Sequence, residues 1–168
     1  ELSIDLSLME KILDIKQNIT YSSQSALISD REKERSLYDI YYITYRKIGL
    51  DLIYCISTSL PDNYELKKLP NGQLMDELGR TYTYDPTSKT QTVTGTVFNT
   101  EEDVEKFLEH DFPDPEAPGR DYGLRHLKKI NQETMALGFH IRDPFAQTWE
   151  ALTPVKFVYW MHKNPSLV

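Results

Sequence analysis

The chain of 168 residues carries 19 Lys and Arg against 26 Asp and Glu, giving a formal net charge of -7 and a pI near 5.1. That length suits one domain with its own core, and the acidic balance offers no broad basic surface to a phosphate backbone, which excludes nucleic acid as the expected partner. The single cysteine, Cys55, excludes an internal disulfide or a Cys-x-x-Cys metal knuckle and suits a reducing cytoplasm, while no apolar run approaches the roughly 20 residues that span a bilayer.

The N-terminus has neither a basic lead nor an apolar signal core, and its start at Glu1 leads us to expect a cut end. ELSID (1–5) alternates apolar and polar residues and predicts a short strand. LSLMEKILDI then places Leu8, Ile12 and Ile15 at helical spacing. The clearest early helix runs through SDREKERSLYDIYYITYRKIG. Ser29 or Asp30 is positioned to cap it, Leu37, Ile40, Tyr41, Thr44 and Ile48 form one face, and Gly49 supplies the stop. LDLIYCIST is a nearly unbroken apolar run of strand length, the pattern of a parallel strand covered on both faces, with Cys55 in the core.

PDNYELKKLPNG reads as a loop, followed by two β-rich segments, QLMDELGRTYTYD and TQTVTGTVFN, with turn chemistry at Asp85-Pro86 between them. These predict an antiparallel hairpin or small meander. TEEDVEKFLEHD follows with Asn99 or Thr100 as cap, three acids in the positive first turn, and Val104, Phe107 and Leu108 on the buried side. The prolines of FPDPEAPGR require a linker. Leu124, Leu127, Lys128 and Ile130 then carry a helix to about Glu133, and MALGFHI forms another short strand. Asp143-Pro144 and Thr153-Pro154 each begin a helix in the cap-then-proline order.

Three of these segments resemble the uroporphyrinogen decarboxylase-like superfamily, which also contains corrinoid-linked methyltransferases. MDELGRTY is similar to its Asp-Glu-Trp-Gly-x-x-Tyr segment, DFPDPEAPGR to its Asp-x-Pro-Asp-Pro linker, and DPFAQTWEAL with KNPSLV to its Gly-Pro-Phe-x-x-x-Trp helix and Glu-Asn-Pro-Glu ending. The resemblance implies a (β/α)₈ barrel, which typically takes about 250 residues. The expectation is therefore an α/β fold, a partial TIM-barrel half with an inserted β-hairpin, in which residues 1–168 form a single domain corresponding to the N-terminal half. Its open edge would require the remaining barrel half or a second copy of the chain.

Departures from the family pattern favour the methyltransferase branch. The decarboxylases' paired-arginine segment is not visible, and Thr58 stands where they carry an aspartate after the second strand. Leu78 replaces the usual tryptophan and Asp143 the usual glycine. The implied activity is transfer of a methyl group to or from a corrinoid (cobalamin) cofactor in a cytoplasmic enzyme, with a small-molecule donor or acceptor and a corrinoid protein as partners. The zinc ligands that activate a thiol in related methyltransferases are expected beyond Val168, so no metal ligand is assigned within this half and the isolated chain is expected to be inactive. The alternatives are a non-catalytic α+β binding module and a tetrapyrrole decarboxylase fragment.

In this fold active sites form at the C-terminal ends of the strands. His140 and Arg142 sit at the C-terminal end of MALGFHI, and Ser57 and Thr58 end LDLIYCIST. His140 is a catalytic candidate. Arg142 suits a carboxylate or phosphate clamp, and Ser57 and Thr58 suit a ligand hydroxyl or carboxylate. Glu150 stands where a substrate-facing tyrosine is found in the decarboxylases, which makes it the second catalytic candidate. Asp76 and Glu77 cannot both address one substrate atom, because adjacent strand residues point to opposite faces. Asp76 is therefore a substrate-binding candidate weighed against a carboxylate that bonds loop amides.

Overall fold

The computed structural model describes residues 6–15, 28–85, 90–139 and 143–167. In chain order the elements are helices α1 (Leu6–Leu13) and α2 (Arg31–Lys47), strands β1 (Leu52–Ile56), β2 (Lys67–Lys68), β3 (Leu74–Met75), β4 (Arg80–Asp85) and β5 (Thr90–Thr96), helices α3 (Glu101–Lys106) and α4 (Tyr122–Asn131), strand β6 (Ala136–Phe139), and helices α5 (Pro144–Leu152) and α6 (Pro154–Lys163). The fold is mixed α/β, with two small sheets among the described residues. The expected strand over ELSID lies outside the described residues, as do His140 and Arg142. Among the described residues no helix is long and apolar enough to cross a membrane.

The chain forms two compact units, one of residues Glu1–Tyr64 with Glu116–Ile141 and the other of Glu65–Pro115 with Arg142–Val168. In the first unit, β1 and β6 pair in parallel and each follows a helix, α2 before β1 and α4 before β6. Asp30 Oδ1 accepts the amides of Glu32 and Lys33 and starts α2, and Gly49 at φ 76° ends it. Leu37, Ile40 and Thr44 are buried as their spacing predicts, together with Tyr38, Tyr42 and Tyr45, against Ile53 and Leu127. Glu34 is also buried, because Arg31 Nη1 meets its Oε2 at 2.6 Å.

Two expectations fail here. Leu8 is exposed and its neighbour Met9 takes the core position in α1, and Ile48 is exposed past the end of α2. More important, β1 is not covered on both faces: Ile53 is 0% exposed, whereas Leu52 and Tyr54 on the opposite face are 45% and 44% exposed. Among the described residues this sheet has only two strands, and the face of Leu52 and Tyr54 stays open to solvent.

The second unit is built on an antiparallel sheet ordered β2-β3-β4-β5. The segment read as a loop contributes β2. Two successive hairpins share one turn design. Leu69 and Gln73 flank one three-residue turn and Asp76 and Arg80 the other; in each, the first flanking amide bonds the last flanking carbonyl, and a glycine amide bonds the first carbonyl. Gly72 at φ 85° and Gly79 at φ 74° occupy the left-handed position these loops require. A Cβ on Gly79 would stand 2.7 Å from Phe98 Cζ, so close packing as well as φ selects glycine.

Thr100 and Asp103 form the capping box of α3, with Asp103 rather than the usual Glu or Gln reaching back. After Lys106 the helix widens into a π-helical turn over Phe107–Asp111. That extra width turns Leu108 into solvent although its spacing predicted burial, while Val104 and Phe107 pack with Phe98, Leu152, Phe157 and Trp160. The proline-rich 112–120 stretch is irregular, as expected.

Candidate functional site

In the second unit, the turn after Met75 brings Asp76, Arg80 and Tyr82 together, and α5 supplies Gln147 and Glu150. Asp76 Oδ1 accepts the amides of Leu78 and Arg80, and its Oδ2 accepts Arg80 Nε at 2.6 Å and the Tyr82 hydroxyl at 2.8 Å. Arg80 reaches further, donating from Nη1 to Glu150 Oε2 at 3.1 Å and to Gln147 Oε1 at 3.3 Å. The side chains of Asp76, Arg80 and Glu150 are 0%, 7% and 10% exposed, so these charges interact with little water between them.

The electrostatics follow from that burial. Desolvation, the largest single influence, would lower the pKa of the Arg80 guanidinium, but the Asp76 charge and hydrogen bond and the Glu150 charge act together against it, and the group is held above its ordinary value. Burial first, and the Asp76 charge second, push the Tyr82 hydroxyl far above the usual tyrosine range. Tyr82 therefore stays neutral and acts as a donor.

These bonds define what each candidate can do. Asp76 accepts four donors, which uses the acceptor capacity of an ionised carboxylate and leaves no lone pair for a substrate. Its geometry is that of a carboxylate closing its own turn and bonding loop amides, while Glu77 is half-buried. Glu150 is brought to the same guanidinium from a helix far along the chain. Arg80 and Tyr82 were not singled out from sequence, although the Asp-x-x-x-Arg spacing across a glycine turn was a readable signal.

Ser57 and Thr58 belong to the first unit, just past the end of β1, Ser57 half-buried and Thr58 exposed. The next residue, Ser59, is the buried one. Its amide donates to Arg120 O and its hydroxyl accepts the Gly123 amide at the start of α4, so it fastens the loop after β1 to the α4 N-terminus. Arg31 locks the same loop, with Nη2 donating to Leu60 O and to Asp62 Oδ1 and its guanidinium 4.7 Å from the Tyr122 ring centroid. A cleft of about 480 Å3 lies at the other end of this sheet, lined by Asp51, Lys128, Asn131 and Glu133 among others. The strands begin there, which is not the end where parallel α/β folds bind ligands.

Among the described residues no group of three His, Cys, Asp or Glu side chains converges to hold a metal ion. His126 is instead bonded to Asp39 at 2.6 Å, between α4 and α2. Compared with family models, curated proteins and solved structures, the chain matches none.

Proposed function

We propose that the chain is part of a cytoplasmic methyltransferase of the uroporphyrinogen decarboxylase-like superfamily, contributing part of a (β/α)₈ barrel and moving a methyl group between a corrinoid on a partner protein and a small molecule. The observation that carries this reading is the convergence of two resembling segments. MDELGRTY and DPFAQTWEAL meet in one buried network, through Arg80 between Asp76 and Glu150. The parallel β1–β6 pair, each strand preceded by a helix, supports the barrel part of the reading, because parallel sheets are stable when further strands and helices cover them.

Among the described residues no three His, Cys, Asp or Glu side chains converge. In this proposal the zinc ligands, and thiol activation with them, belong to another part of the protein. The role left to Arg80 is to orient and neutralise Glu150.

One observation favours a non-catalytic binding module instead. The outward side of α6 carries Val155, Val158 and Tyr159, all exposed, on a helix with few polar residues. The two readings separate in one experiment. The product of the whole reading frame, mixed with methylcobalamin and a panel of small thiols, is expected to demethylate the corrinoid in a thiol-dependent way, read from its visible spectrum. A folded product that leaves methylcobalamin unchanged favours the module, and decarboxylation of uroporphyrinogen overturns the methyltransferase assignment.

A further inference from the structure

The tip of the β2–β3 hairpin joins Pro70, Asn71 and Gly72, and of the six asparagines in the chain only Asn71 precedes a glycine. Both residues are exposed, and a Cβ built on Gly72 would find nothing within 4 Å. The turn is thus open around the Gly72 α-carbon, and the Gly72 nitrogen lies one bond from the residue whose side-chain amide carbon it can attack.

We propose that Asn71 is a site of spontaneous deamidation gated by the hydrogen bonds of this turn. The Gly72 backbone nitrogen forms a bond to Asn71 Cγ. The Cγ–Nδ2 bond breaks, and ammonia leaves with the proton that the backbone nitrogen gives up. Water then opens the five-membered imide at either carbonyl, restoring the chain through the α-carboxyl as aspartate or through the side chain as isoaspartate. The balance is one water consumed and one ammonia released, with no oxidant or cofactor.

Two sets of contacts form the gate. The Gly72 amide is held by Leu69 O at 2.9 Å, so ring closure first requires that bond to open. Asn71 is held by Gln73: its Oδ1 accepts the Gln73 amide at 3.1 Å and its Nδ2 donates to Gln73 Oε1 at 2.5 Å. Openings of this kind are cheapest at loop tips, where few buried contacts must be broken. The product matters to the sheet because Gln73 Nε2 in turn bonds the hydroxyls of Thr83 and Thr94. A carboxylate at position 71 faces Gln73 Oε1 with like polarity and disrupts that chain, and isoaspartate lengthens the backbone of a turn built for three residues.

The test is to hold the folded protein at mildly alkaline pH in heavy-oxygen water and to map the peptides by mass. The expected result is two products at position 71, aspartate and isoaspartate, both carrying the heavy oxygen and both appearing before any change at Asn63 or Asn99. Gln73→Ala, at a half-buried position, removes the side-chain half of the clamp on Asn71 and keeps the backbone amide that bonds Oδ1; it is expected to speed conversion about threefold, the scale of one net hydrogen bond. The site assignment is overturned if Asn71 stays intact while Asn63 or Asn99 converts, or if aspartate forms without isoaspartate. A Gln73→Ala rate equal to that of the wild type overturns the part of the gate assigned to the Gln73 side chain.

Discussion

Arg80 and Glu150 stand 70 positions apart in sequence and meet at 3.1 Å between Nη1 and Oε2, inside a network that Asp76 anchors from the other side. One guanidinium serves two carboxylates. Arg80→Met therefore leaves both without their cation in a buried place and is expected to lower the unfolding free energy by about 3–5 kcal/mol. Arg80→Lys keeps the charge but not the planar fork and should lie between the two. Urea unfolding of the three proteins checks this, and a loss near zero for Arg80→Met would show that the network contributes nothing to the fold.

Tyr82 makes the same network sensitive to alkali. Its hydroxyl is held well above the ordinary tyrosine value, so the unfolded chain gives up this proton near pH 10 while the folded chain keeps it. Unfolding then releases a proton. The Tyr82 contribution is complete below about pH 10 and declines as the pH rises beyond it. Tyr82→Phe should cost about 1.5–3 kcal/mol at neutral pH through the lost bond to the Asp76 carboxylate, and the gap from the wild type should shrink above pH 10. Unfolding midpoints measured across that range give the comparison.

At Gly123 the Tyr38 ring lies directly on the backbone of α4, where an added methyl group would collide with its Cε2 and Cζ atoms. Gly123→Ala is expected to destabilise the first unit by about 1–3 kcal/mol, despite alanine's better helix propensity, because Tyr38 is itself fully buried and cannot retreat. Thermal unfolding with a Tyr38→Phe background separates the ring's bulk from its hydroxyl. If Gly123→Ala proves stabilising, the close approach is wrong.

Thr153, at the corner between α5 and α6, has φ 69° and ψ 149°, a conformation that suits glycine and strains a β-branched residue. Thr153→Gly should therefore raise stability by about 1 kcal/mol, whereas an ordinary helix-flanking glycine costs stability. Denaturant midpoints of Thr153→Gly and Thr153→Ala decide it, since alanine keeps the strain. Equal midpoints for the two variants would contradict the strain.

The sequence by itself determined the features that depend on bonds spanning a few residues. Asp30, Thr100 and Asp143 cap the helices that their spacing announces, Gly49 ends α2, and the β-rich segments pair as an antiparallel unit inserted between β1 and α4. The expected order of helix, strand, insertion, helix and parallel strand is present in outline because hydrophobic periodicity and capping chemistry are local. Tertiary structure alone decided what each side chain meets. It turned Leu8 and Leu108 outward, left Leu52 and Tyr54 uncovered, and buried Glu34 against Arg31. It also gave Asp76 and Glu150 their common partner, since the pairing of Arg80 with a residue on α5 depends on how β4 packs against that helix rather than on any pattern within either segment. Burial sets the strength of those charges, and burial is a property of the packed whole.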